Sequence, residues 1–213
     1  MKRIILLVFT VGALVFNSGA ADYKEVMSSN IQKMYQARTK DELTNLANQF
    51  DRISQAEKSE WLPGYYAAYC NVSILFFENV SNEEKNKYLD KAQADMDQIF
   101  QRAKDESEIY ALQALIYQFR IIDMSTGMKY SGLANQALAT AEKLNPENPR
   151  VYYLQGTNTF HTPKEYGGGP EKAKPLFEKA AKMFADAKTE KNLLPMWGAE
   201  HNNQMLEQCN SGK

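Results

Sequence analysis

The chain has 213 residues, with 25 basic and 26 acidic side chains, a net charge of −1 and two cysteines. That balance lacks the basic field that nucleic-acid binding needs. Two cysteines in a chain of this length are too few for a disulfide framework. Acids and bases interleave along the chain, as on solvated helix faces.

The first element is a leader. Met1-Lys2-Arg3 is followed by an uncharged apolar run from Ile4 to Phe16, then by small residues through Ala20-Ala21. This is the order of a secretory signal peptide. The run is shorter than the ~20 residues a spanning helix needs, which disfavours a membrane anchor. No Cys follows the small-residue site, which disfavours a lipoprotein. Residues 1–21 are expected to be removed and the mature protein to be periplasmic or secreted. Loss of Lys2 and Arg3 would leave 23 bases against 26 acids, a net charge near −3. Residues 22–213, roughly 190 in number, then fit a single domain.

Helices are predicted over 22–37, 40–55, 62–79, 82–103, 106–124, 130–145, 149–161, 170–187 and 195–209, with no alternating stretch that reads as a strand. The apolar residues recur in steps of three and four, which gathers each set on one helix face. Such sets are Leu43, Leu46, Ala47, Phe50 and Ile53; Ile109, Leu112, Leu115, Ile116, Phe119 and Ile122; and Ala173, Leu176, Phe177, Ala180, Ala181 and Phe184. Thr39 before Glu42 and Ser81 before Glu84 have capping-box spacing, and Asp105 before Glu108 offers a further start. Pro63, Pro149, Pro170 and Pro195 each stand where a first helical turn needs no N–H. The connections Asp123–Tyr130 and Thr162–Gly169 are the long ones. Gly167-Gly168-Gly169 reads as a flexible turn re-entering a helix, since Pro170 removes a donor and Glu171 adds repulsion where an anion would sit.

A period runs through these helices. Ala134, Leu138, Ala141 and Pro146 give A-x3-L-x2-A-x4-P. Ala173, Phe177 and Ala180 repeat its core, and Ala92, Met96 and Ile99 give a looser copy. Ahead of them, Tyr110, Ala114 and Tyr117 match Tyr152, Gly156 and Thr159. Trp61-Leu62-Pro63-Gly64-Tyr65 resembles Leu193-Leu194-Pro195-Met196-Trp197. The pattern resembles the tetratricopeptide repeat, W-x2-L-G-x2-Y, then A-x3-F, then A and P over ~34 residues. The best copy runs from Pro149 to Phe184 behind the turn Asn145-Pro146-Glu147-Asn148. The loop Thr162–Gly169 is also similar to one in the helical periplasmic component of TRAP-type transporters. The repeat resemblance implies an all-α fold, a right-handed TPR-like α-solenoid of antiparallel helix pairs with a C-terminal capping helix.

Enzyme chemistry has no support. No G-x-S-x-G elbow or P-loop is present, and the two histidines, His161 and His201, are too far apart for a helical metal pair. No cofactor and no metal are expected. Cys70 reads as a buried thiol, with a Cys70–Cys209 bridge as the alternative that export permits. The repeat resemblance implies a concave groove lined by the first helix of each pair. Counting one, five, eight and nine residues on from Tyr65, Tyr110, Tyr152 and Trp197 nominates Tyr66, Cys70, Ser73, Leu115, Gln118, Tyr153, Thr157, Phe160, His161 and Asn202. The expected function is a non-catalytic scaffold holding a protein or peptide partner in that groove. The alternative is a ligand-binding accessory subunit of an envelope transporter.

Overall fold

A computed structural model describes residues 18–77, 80–186 and 193–211, with side chains from Asp22 onward. The expected leader falls almost entirely outside the described residues. The helices are α1 (Ser18–Gln36), α2 (Lys40–Ala56), α3 (Leu62–Ser73), α4 (Asn82–Phe100), α5 (Ser107–Phe119), α6 (Met124–Leu144), α7 (Pro149–His161), α8 (Pro170–Asp186) and α9 (Ala199–Ser211). Short 3₁₀ turns follow α3 at Ile74–Phe76 and α7 at Lys164–Tyr166. Among the described residues there is no strand, so the fold is all-α. None of these helices is long and apolar enough to cross a membrane.

Local chemistry sets most of the boundaries. Thr39 and Ser81 form complete capping boxes with Glu42 and Glu84, each satisfying orphan N–H groups of a first turn. Asn148 accepts from the Arg150 N–H at the head of α7, with Pro149 at the first helical position. Three expected helix starts are corrected. Helix α6 starts at Met124, not near residue 130, because Asp123 accepts from the Thr126 N–H at 2.8 Å while the Thr126 hydroxyl reaches back to the Asp123 N–H. A Thr thus fills the place where a Glu is usual, and the expected long loop is a helix. Helix α9 starts at Ala199 instead of Pro195, because Gly198 takes φ = +107°, which ends any helix that would begin earlier. Helix α5 starts one residue later than expected, at Ser107, without a side-chain cap.

Each helix packs on its neighbours in sequence, and α1 also touches α3, α3 touches α5, and α5 touches α7. Helices α3, α5 and α7 therefore form one row. The residues that carry the sequence period form the core: Ala92, Met96, Ile99, Ala134, Leu138, Ala141, Ala173, Phe177 and Ala180 are all fully buried. Gly156 shows why small residues are needed. A methyl group there would stand 2.6 Å from Cε1 of Phe177, so α7 and α8 approach as closely as they do only with no side chain at that point. Both cysteines are free, and Cys70 is buried.

Candidate functional site

The row of α3, α5 and α7 is not an empty groove. The segment Leu193–Gly198, between α8 and α9, lies across it as a strap. The Tyr66 hydroxyl donates to the Leu193 carbonyl (2.8 Å), the Met196 N–H donates to the Tyr35 hydroxyl (2.9 Å), and Arg150 Nη1 donates to the Trp197 carbonyl (3.2 Å). These bonds reach α1, α3 and α7. The Trp197 indole stacks on Tyr69 at 5.3 Å, meets Tyr153 edge-on at 6.3 Å, and donates from Nε1 to the Tyr65 hydroxyl at 2.8 Å. The Arg150 guanidinium lies 5.5 Å from the indole ring while making a two-point pair with Glu108 (2.6 and 2.7 Å). That pair ties α5 to α7 beneath the strap. Burial pushes the Tyr65, Tyr66, Tyr69 and Tyr153 phenols well above their ordinary pKa, so all four stay neutral hydrogen-bonding groups.

Beyond the strap an open cavity of about 500 Å³ remains, bounded by α5, α7, α9, the head of α4 and the turn after α3. Its apolar lining is Phe76, Leu115, Phe119 and Ile121. Its polar lining is Gln118, Tyr153, Thr157, Asn158, His161 and His201, with Lys85 as the one charged residue among those described. A neighbouring lobe of about 540 Å³ shares Ile121, Asn158 and His161 and extends under α6 past Met124, Met128 and Tyr166, all exposed. The Tyr153 hydroxyl and His201 Nδ1 share a hydrogen bond at 2.9 Å, which fixes the imidazole ring and leaves Nε2 as its other polar atom. Burial lowers the His161 pKa, and burial followed by the nearby His161 lowers that of His201, so both imidazoles are neutral at neutral pH. Gln118 donates to the Leu154 carbonyl at 2.8 Å, while its buried Oε1 has no partner among the described residues. Among those residues, no group of three or more His, Cys, Asp or Glu side chains is arranged to hold a metal ion.

Five of the nominated residues meet at this cavity: Leu115, Gln118, Tyr153, Thr157 and His161. The other five do not. Tyr66 and Cys70 are fully buried, because α3 is covered on one side by α2 and α4 and on the other by the strap. Asn202 is fully buried and donates to the Phe177 carbonyl at 3.0 Å. Trp197 belongs to the strap and not to a helix, so counting forward from it misplaces the α9 residues. Ser73 is half-buried against the Tyr69 phenol, and Phe160 packs between His161 and Phe177. The nominated set omits Phe119, although the same count from Tyr110 reaches it at the ninth residue. It omits Phe76 and Lys85 because they come from the end of α3's turn and from α4, neither of which a count along first helices visits. It also omits His201, which lies on α9.

No family model matches the chain, and no curated protein sequence matches it. Among solved structures, the HusA haemophore from Porphyromonas gingivalis is 30% identical, with a TM-score of 0.78 over 90% of this chain and 94% of that one. The chain belongs to the HusA haemophore family. The likeness extends over nearly the whole of both chains, so this HusA-family chain shares most of its helical framework with that protein.

Proposed function

We propose that this HusA-family protein is an exported, non-catalytic carrier that holds haem, or a tetrapyrrole of the same shape, in the cavity between α5, α7 and α9. The observation that carries the reading is the character of that space. Its lining combines apolar and aromatic side chains, Phe76, Leu115, Phe119 and Ile121, with polar Gln118, Thr157 and two neutral histidines. A flat macrocycle with an apolar body and polar edges needs both kinds of lining. At about 500 Å³ the cavity falls within the 300–1,000 Å³ typical of small-molecule sites, and the adjoining lobe leaves room for a ring edge. The family resemblance to a haemophore supports the same choice.

A peptide partner is the weaker reading, for a specific reason. The inner wall of the helical row already holds an extended segment, the chain's own residues 193–198, through main-chain bonds to Tyr66, Tyr35 and Arg150. The test is a titration of the exported form with haemin and with metal-free protoporphyrin, followed by absorbance. The parent protein is expected to bind saturably. Thr157→Trp, which places an indole in the cavity from a half-buried position, is expected to weaken binding at least tenfold with helicity retained. Absence of binding by the parent, or unchanged binding by Thr157→Trp, would remove the cavity from consideration.

A further inference from the structure

We propose that Lys85 makes the cavity selective for carboxylate-bearing tetrapyrroles by pairing its ammonium with a carboxylate of the cargo; this rests on the cavity's being the tetrapyrrole site. Lys85 sits in the first turns of α4, partly buried, with Nζ 5.9 Å from the centre of the Phe119 ring. It thus stands over the face of one of the cavity's aromatic rings, where a carboxylate at the edge of a ligand filling the same space would meet it. Among the described residues no Asp or Glu lines the cavity, and Lys85 has no carboxylate within salt-bridge distance. The two histidines that share the space are neutral, so among the described residues Lys85 is its single positive charge. Burial lowers the Lys85 pKa, which marks an ammonium that has lost water without gaining a counter-ion. Elsewhere on the molecule Arg150 is matched by Glu108 and Arg120 by Asp90 at 2.9 Å, while the half-buried Arg102 donates to the Ser54 and Glu60 carbonyls. A partner anion supplied by the ligand would complete the same pattern at Lys85, and desolvation beside Phe119 would strengthen it.

The chemical class of the cargo is set by this pairing. The preferred cargo carries at least one free carboxylate at the ring edge, as the propionates of haem and protoporphyrin do, and the same macrocycle with its acids esterified binds less well. The adjoining lobe does not offer an equivalent, because its charged lining residue is Asp123, an anion held ionised by the Thr126 N–H and the Ser125 and Thr126 hydroxyls.

The experiment compares protoporphyrin with its dimethyl ester in one detergent-containing buffer, against the parent protein, Lys85→Gln and Lys85→Arg. The parent is expected to prefer the diacid roughly tenfold, the scale of one partly exposed charge-assisted bond, with the preference shrinking as salt is raised. Lys85→Gln is expected to lose the preference while binding the ester as the parent does, which also shows that it is folded. Lys85→Arg is expected to keep it. A parent that binds acid and ester equally, or a Lys85→Gln variant that still discriminates, overturns the assignment while the cavity reading stands. A parent that binds neither compound overturns both.

Discussion

Replacing Trp197 by Ala tests whether the strap is fastened as the contacts indicate. The indole is 6% exposed, stacks on Tyr69, meets Tyr153 edge-on, lies under the Arg150 guanidinium and hydrogen-bonds Tyr65. Truncating a buried Trp costs about 3–5 kcal/mol when the site cannot collapse. Collapse is hindered here, since Tyr65 and Tyr69 belong to α3 and Tyr153 to α7, and both helices are held by their other neighbours. The Tyr65 hydroxyl also loses the only donor it has among the described hydrogen bonds. For a domain of 150–250 residues each kcal/mol shifts Tm by roughly 2–4 °C, so Trp197→Ala is expected to melt about 6–20 °C below the parent in circular dichroism. Met196→Ala, next to it and 61% exposed, serves as the control and is expected to change Tm by no more than ~2 °C. Loosening of Tyr153 frees the His201 ring, so tetrapyrrole affinity is expected to fall with Tm. If Trp197→Ala melted with Met196→Ala, the indole would not be what holds the strap down.

Two further outcomes concern the core. Asp95 accepts from Asn71 at 3.1 Å, and burial, then the charge of Asp51, pushes its pKa up to about 7. Because the folded value lies above the unfolded ~3.9, the folded state binds the extra proton, and this contribution fades as pH rises from about 4 through 7. Asp95→Asn is therefore expected to match the parent near pH 4 and below, and to melt several degrees higher at pH 8; equal melting at pH 8 would count against a proton held there. In the second case, two glycine changes should have opposite signs. Gly156→Val is expected to lose about 2–4 kcal/mol in urea unfolding, since even a Cβ stands 2.6 Å from the Phe177 ring. Gly132→Ala, with nothing within 4 Å in the middle of α6, is expected to gain up to about 1 kcal/mol.

Much of the fold was legible because it is written locally. Thr39 with Glu42, Ser81 with Glu84 and the prolines at 63, 149 and 170 mark helix starts by the hydrogen-bonding needs of a first turn. The Ala and Leu or Phe spacing marks which faces are buried. What was hidden depends on contacts distant in sequence. The run Leu193–Trp197 looks like the opening of another helix because it resembles Trp61–Tyr65, which does open one. Only the left-handed Gly198 and the partners waiting on α1, α3 and α7 make it a strap. With the strap in place, Tyr66 and Cys70 leave the surface, and the free space moves towards Leu115, Thr157 and His161. Lys85 and His201 carry no local signal, because their meaning comes from facing the same cavity from α4 and α9.

The most direct measurement is the crystal structure of residues 22–213 grown with haemin. The tetrapyrrole is expected against Leu115, Phe119 and Thr157, with a propionate at Lys85 and Trp197 still seated on Tyr69. A tetrapyrrole bound outside this cavity, or one that takes the place of residues 193–198 along α3, would contradict the account.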